Sequence, residues 1–216
     1  MAFELISWIY ISLLCTVWGK GFVVFFFRNR LDVAEFDFPV LCFIGMWAIG
    51  IVAISFSLFM PLTGWIKMLL QVPVLFYFLS SSNRQSFFKQ LGRSFIKPSV
   101  SDLALLVLSI LMILFISSSA IIHPDTLNYH IYSIRVFDLY GMVPGIANLR
   151  PDLGFQSLWF TVMSVFDLSL FQPQTSYPLS GCVMSWFIIF LISKITAART
   201  HLSGQGETAF SSAWYL

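Results

Sequence analysis

The sequence predicts an all-α fold, a polytopic bundle of transmembrane helices, on three observations. Hydrophobic residues make up 58% of the 216 and charged residues only 10%, too few charges to hold a soluble domain of this size in water. The apolar residues form long continuous runs, and about 20 in succession suffice to cross a bilayer. No run shows the roughly ten-residue alternation of a membrane β-barrel, and helices and closed barrels are the structures that satisfy their backbone polar groups in lipid.

On the length criterion about six spans are expected, at roughly 5 to 27, 38 to 59, 62 to 79, 103 to 122, 154 to 171 and 178 to 195. The third and fifth carry the weakest signal. The N-terminal MAFELISW has Glu4 in place of a basic segment and no small-residue cleavage site beyond it, so the first span is expected to be retained. The 24 Phe suit lipid-facing surfaces, and the 7 Trp and 7 Tyr suit the interfaces. Lys20 and Lys67 each lie within about two turns of a span end and are expected to snorkel. Asp167, near the end of its span, reads as an interfacial group for a lipid phosphate or a helix contact. Ser117, Ser118 and Ser119 suit close helix packing. Cys15, Cys42 and Cys182 fall inside apolar runs without disulfide or metal spacing and read as small packing residues. A net charge of +2, scattered along the chain, excludes nucleic acid as the expected partner.

Orientation follows from the basic residues. Loop one holds Arg28 and Arg30, and loop three holds Arg84, Lys89, Arg93 and Lys97, so both are expected in the cytoplasm, with the N-terminus outside. Six spans would leave Lys194 and Arg199 outside, against the same rule. The chain divides into a three-span region with a basic cytoplasmic loop (1–101), a second set of spans with an external loop at 121–153 (102–198), and a polar tail (199–216). The stretch RTHLSGQGETAFSS reads as a loop, and the final AWYL as the start of a further apolar run, so the polypeptide is expected to end early.

Chemistry concentrates between His123 and Phe160, the long polar-bearing interval. Taken as a helix, 125–140 places Leu127, Ile131, Ile134 and Phe137 on one face and Asp125, Asn128, Tyr129 and Tyr132 opposite. Pro124 suits a helix start and Asp125 its first turn. Such a helix would lie in the interface plane, apolar side down, its polar face toward an aqueous cavity. Gly141, Pro144 and Gly145 then punctuate a turn. The return segment ANLRPDLGF brings together Asn148, Arg150 and Asp152. Arg135 and Arg150 are the guanidiniums on the outer side before the last span, and their planar donor forks match a phosphate or pyrophosphate.

The order D-T-x-x-Y-H, then VPG, then N-L, then GF-x-S-x-WF (Asp125, Thr126, Tyr129, His130; Val143 to Gly145; Asn148, Leu149; Gly154, Phe155, Ser157, Trp159, Phe160) resembles a bacterial family of polytopic membrane proteins allied to the GT-C glycosyltransferases. The resemblance is tight over about forty residues and loose over the flanking spans. It implies a GT-C-like bundle in the bacterial inner membrane, a polyprenyl-phosphate sugar donor, and transfer at the outer face. It implies that Asp125 is the catalytic carboxylate, a base that deprotonates or orients the acceptor while the lipid-linked phosphate leaves. Asn128, Tyr129, His130, Tyr132, Arg135, Asn148 and Arg150 are the candidate substrate-binding residues. His130 suits packing as well as chemistry, and Tyr129 and Tyr132 suit interfacial anchoring as well as stacking on a sugar. His123, Asp125, His130 and Asp152 could converge on a divalent cation, though without recognised ligand spacing. No nucleophile elbow occurs. Two departures stand out: GT-C enzymes usually place this loop after their first span, where three precede it here, and they have more than six spans. A non-enzymatic membrane protein, a transporter or an assembly partner for surface polysaccharide, is the competing expectation.

Overall fold

Two glycines decide how the first two helices meet. The computed structural model describes residues 1–27, 33, 36–93, 99–119, 129–154, 157–167 and 178–212, with side chains from 200 onward and that of 93 excepted. Helix α1 (Ala2–Phe27) and helix α2 (Phe38–Ser57) cross so closely that a methyl at Gly45 would strike the Cys15 carbonyl, and one at Gly19 the Leu41 carbonyl. The pairing of 15 with 45 and 19 with 41 makes the two helices antiparallel. Backbones approach this closely only where a side chain is missing, the usual device of helix pairs in lipid.

Helix α9 (Pro178–Ser212) packs parallel to α1. Cys182 lies 3.6 Å from the Trp8 carbonyl and from Ser12 Oγ, and the Trp186 indole donates to Ser12 Oγ at 2.8 Å. Thr16 Oγ1 sits 3.3 Å from Cys42 Sγ. All three cysteines are buried and unpaired, in the packing role expected of them. Helix α5 (Val100–Ser117) runs antiparallel to α9. Ser117 crowds Gly181 at one end, and at the other Asp102 accepts from Arg199 (2.6 Å) and Thr196 (3.1 Å).

Helix α3 (Gly64–Leu79) runs parallel to α1, since the Trp18 indole donates to the Leu70 carbonyl at 2.9 Å and Lys20 Nζ to Tyr77 Oη at 2.9 Å. At Ser80 the chain turns by 97° into helix α4 (Ser81–Arg93). Its Phe87 and Gln90 are buried, while Arg84, Phe88 and Lys89 are exposed. Gln90 donates to the carbonyls of Val33 and Phe36. So α4 lies across the end of the bundle where α1 gives way to α2.

Among the described residues four helices, α1, α2, α5 and α9, are long and apolar enough to cross a membrane, or five if the bent pair α3–α4 counts as one crossing. The described elements are all helical, and these apolar helices make the chain a multi-pass membrane protein. The difference from six lies in the fifth expected span, where the described helix, α8 (Leu158–Val165), has only eight residues and rises about 12 Å against a hydrocarbon core of roughly 30 Å. Thr161 to Val165 of the helix, and Phe166 and Asp167 just after it, are all buried, so its second half packs on protein and its apolar run is in part a core signal. The segment from 199 also differs from expectation: α9 continues to Ser212. Gly204 and Gly206 suggested a loop, but a glycine lowers helix stability by about 1 kcal/mol and does not end a helix as proline does.

Without a crossing at α8, the ends of the bundle acquire distinct charges. One end holds Asp37 paired with Lys194 at 2.6 Å, Asp102 paired with Arg199 at 2.6 Å, and α4 with Arg84 and Lys89. The other end holds Ser57, Lys67, Ser117 and residues 129–154.

Two outcomes test this arrangement. Gly45→Ala is expected to lose about 1–3 kcal/mol from overpacking, whereas at Gly21 an added methyl meets nothing within 4 Å and Ala should be neutral or slightly stabilising. Equal melting temperatures for the two in detergent would refute the close crossing. Single cysteines at Lys89 and Arg199 should react with an impermeant thiol reagent from the same side of the membrane, and one at Leu149 from the opposite side.

Candidate functional site

Residues 129–154 of the polar interval fold onto the less basic end. Residues 129–130 form a wide helical turn leading into helix α6 (Ile131–Tyr140). The amphipathic pattern holds where it is described: Ile134 and Phe137 are fully buried while Tyr132 is 51% exposed. What covers the apolar face differs from the expected bilayer interface. The helix packs on α8 and on the α2–α3 junction, where the Leu62 amide donates to the Phe137 carbonyl (3.0 Å) and the Met142 amide to the Ser57 carbonyl (2.7 Å). The apolar stripe seats the helix on protein, because the short α8 fills the space beneath it.

Gly141 ends α6 with φ 73°, facing the carbonyls of Ser57 and Met60, which a methyl would strike. Both the left-handed backbone and the close approach require glycine there. Val143 to Ile146 form a type II turn with Pro144 and Gly145 (φ 80°) in the central positions, closed by the Ile146 amide on the Val143 carbonyl. A short helix α7 (Ile146–Leu149) and a 3-10 turn (Pro151–Gly154) follow.

This path carries Arg150 back to α6. Its guanidinium lies 5.0 Å from the Tyr132 ring centre and grips Asp152, with Nε 3.0 Å from both carboxylate oxygens and a second nitrogen 2.9 Å from one of them. The expected pair of free cations is therefore split: Asp152 neutralises Arg150, whereas Arg135 is exposed and has no ion pair with the described residues. Tyr132 and Arg135, three residues apart, share a helix face. His130 packs by its ring between Tyr129 (4.3 Å) and Phe160 of α8 (5.2 Å). Asn148 is exposed on α7. Asp125 and Asn128, with His123, lie outside the described residues. Among the described residues no three His, Cys, Asp or Glu side chains are placed to hold a metal ion.

Sequence reasoning passed over several polar residues here. Asp138 of α6 pairs with Lys67 of α3 at 2.6 Å, both less than one-fifth exposed, so Lys67 is an interhelical partner as well as a snorkelling stem. Seventy-one positions separate the two, and no spacing rule links them. Ser133 of α6 and Ser164 of α8 are buried with hydroxyls that have no hydrogen-bond partner, and Glu4 is 2% exposed with one carboxylate oxygen in the same condition. Glu4 was legible as an acid in the first turn of an apolar helix. The two serines carry no such sign.

A family model described as a domain of unknown function (DUF8201) matches residues 1–211. The chain belongs to the DUF8201 family. The DUF8201 match takes in both the N-terminal helices and the polar interval. No curated protein and no solved structure matches the chain.

The ion pair between α3 and α6 gives a test of the seat. Replacing Asp138 alone with Leu should destabilise the protein by about 3 kcal/mol, because a partly buried ammonium loses its counter-charge. Replacing both Lys67 with Met and Asp138 with Leu should restore most of the loss. A double variant no better than the single one, by thermal unfolding, would remove the pair from the seat.

Proposed function

We propose that this chain is a membrane glycosyltransferase-like protein, GT-C-like in architecture, that takes a sugar from a polyprenyl-phosphate donor at the outer face of a bacterial inner membrane. The observation that carries the reading is the face formed by Tyr132 and Arg135, with Arg150 locked against Tyr132 by Asp152. A half-exposed phenol ring with a guanidinium held over one face is suited to lie against a sugar. The Arg135 guanidinium one turn along, without an ion pair among the described residues, is suited to the donor phosphate. Because Asp152 already occupies Arg150, the phosphate falls to Arg135, and Arg150 becomes the support of Tyr132. Asp125 precedes this face in the chain and would orient or deprotonate the acceptor.

Charge distribution supports the outward placement. Arg84, Lys89, Lys194 and Arg199 gather at the opposite end of the bundle, which by the positive-inside rule is the cytoplasmic one. Counting α3–α4 as a crossing gives five, and Lys194 and Arg199 then fall on the side the rule prefers. The six-span expectation had left them outside.

In the full-length protein, Asp125→Asn is expected to cut transfer from a labelled polyprenyl-phosphate sugar about 10²–10⁴-fold with normal membrane insertion. Arg135→Gln should raise the donor KM by roughly tenfold or more, the worth of a charge-assisted bond. Transfer at the native rate by inserted Asp125→Asn would reject the enzyme in favour of a non-enzymatic role in transport or polysaccharide assembly.

A further inference from the structure

A second cluster of charged and aromatic side chains lies at the other end of the bundle, at the elbow between α3 and α4. Lys20 of α1 is 6% exposed, yet its ammonium has one hydrogen bond, to Tyr77 Oη, and otherwise faces the rings of Tyr77 (5.4 Å) and Phe87 (5.8 Å). Among the described residues no carboxylate pairs with it. Two of its three N–H groups have no acceptor among the described residues, in surroundings where an uncompensated charge is costly. Arg84 stands at the same elbow. One of its nitrogens caps the Phe78 carbonyl (3.2 Å), the side chain is exposed, and Tyr77 Oη donates to the carbonyl of the adjacent Asn83 (3.1 Å).

An apolar cavity of about 930 Å³ adjoins these cations, lined among others by Val74, Phe78, Phe87, Ile110, Leu114 and Trp186. Phe78 and Phe87 belong to both features: they wall the cavity, and they carry the Arg84 contact and the Lys20 contact respectively. The cavity continues from the elbow along α1, α5 and α9. A long apolar space walled by the same two phenylalanines that touch Lys20 and Arg84, with no carboxylate on Lys20 among the described residues, suits an apolar chain with an anionic head.

We propose that the α3–α4 elbow binds an anionic phospholipid of the basic-side leaflet, its phosphate held by Lys20 and Arg84 and one acyl chain lying in the cavity bounded by α1, α3, α5 and α9. Lys20 supplies a charge that stays in place because Tyr77 fixes it. Arg84 closes the site from the aqueous side. Phe88, 64% exposed on α4, anchors the elbow in the headgroup layer as an interfacial helix does. The site is independent of the sugar-transfer reading, which concerns the opposite end of the bundle.

The test is native mass spectrometry of the full chain in detergent, titrated with phosphatidylglycerol or phosphatidylcholine of the same acyl length. The wild-type protein is expected to retain one phosphatidylglycerol with at least about fivefold preference, the factor one basic residue adds beside an anionic surface. Lys20→Met, which keeps the apolar stem and relieves a buried charge, should fold and lose that preference. Arg84→Gln should weaken it about fivefold. Lys89→Gln, an exposed charge on the same helix, should leave it unchanged. Ile110→Trp, which fills the cavity, should abolish retention of both lipids. Equal retention of the two lipids by wild type, an unchanged preference in Lys20→Met, an effect of Lys89→Gln equal to that of Arg84→Gln, or full retention by Ile110→Trp would each overturn the proposal.

Discussion

The contact between Gly45 and the Cys15 carbonyl, mirrored by Gly19 and the Leu41 carbonyl, is the constraint on which the remaining helices depend. Apolar side chains gain nothing by leaving lipid for one another, so helices in a bilayer associate through close packing and hydrogen bonds. The two glycines bring α1 and α2 together tightly enough for Thr16 to reach Cys42. The same stretch of α1 presents Ser12 and Trp8 to α9, where Cys182, Trp186 and Gly181 receive them. A narrow strip of small and hydroxyl-bearing side chains therefore joins three helices. The large side chains of α5, exposed along most of its length, face outward and contribute little to that joint.

The ion pairs at the basic end have unequal weight. Lys194 with Asp37 is 55% and 31% exposed, and such a pair contributes about 0–1 kcal/mol. Asp102 is different: it is 6% exposed, it accepts from Arg199 and Thr196, and its backbone amide is capped by Ser99. A carboxylate buried that far needs those donors, so it pins the register of α5 against α9. Register fixes parity. With Ser117 at Gly181 and Asp102 at Arg199, α9 runs the full distance opposite to α5, and the interval between them begins and ends at the same end of the bundle.

That parity shows what could be read from the chain. The spans α1, α2 and α5 were legible to within a few residues, because an uninterrupted apolar run of about 20 has one solution in a membrane. The fifth span was not, because the run at 154–171 is equally apolar whether lipid or protein surrounds it, and hydropathy cannot tell an eight-residue buried helix from part of a longer one. The bend of α3 into α4 was invisible for a related reason: Ser80 is an ordinary residue at which direction changes because α4 carries a polar face. At the candidate site, the alternation of Ile134 and Phe137 with Tyr132 and Arg135 announced the helix. The Arg150–Asp152 pair was also within reach, two residues apart in the chain. The Lys67–Asp138 pair depended on how α6 docks and was beyond it.

Lys20 and Lys67 show why burial of like residues at like depths can mean different things. Both sit in apolar helices within about two turns of an end, and the same snorkelling rule covers both. Lys67 meets a carboxylate from α6, so its charge is answered within the chain and joins two helices. Lys20 meets a phenol and two ring faces, which lower the cost of an ammonium without cancelling it. A structural lysine would be replaceable there by methionine at a gain, since the stem already packs and the charge contributes no pairing. Its place beside a large apolar space, at the end where the other basic residues collect, gives the uncancelled charge a partner drawn from the membrane.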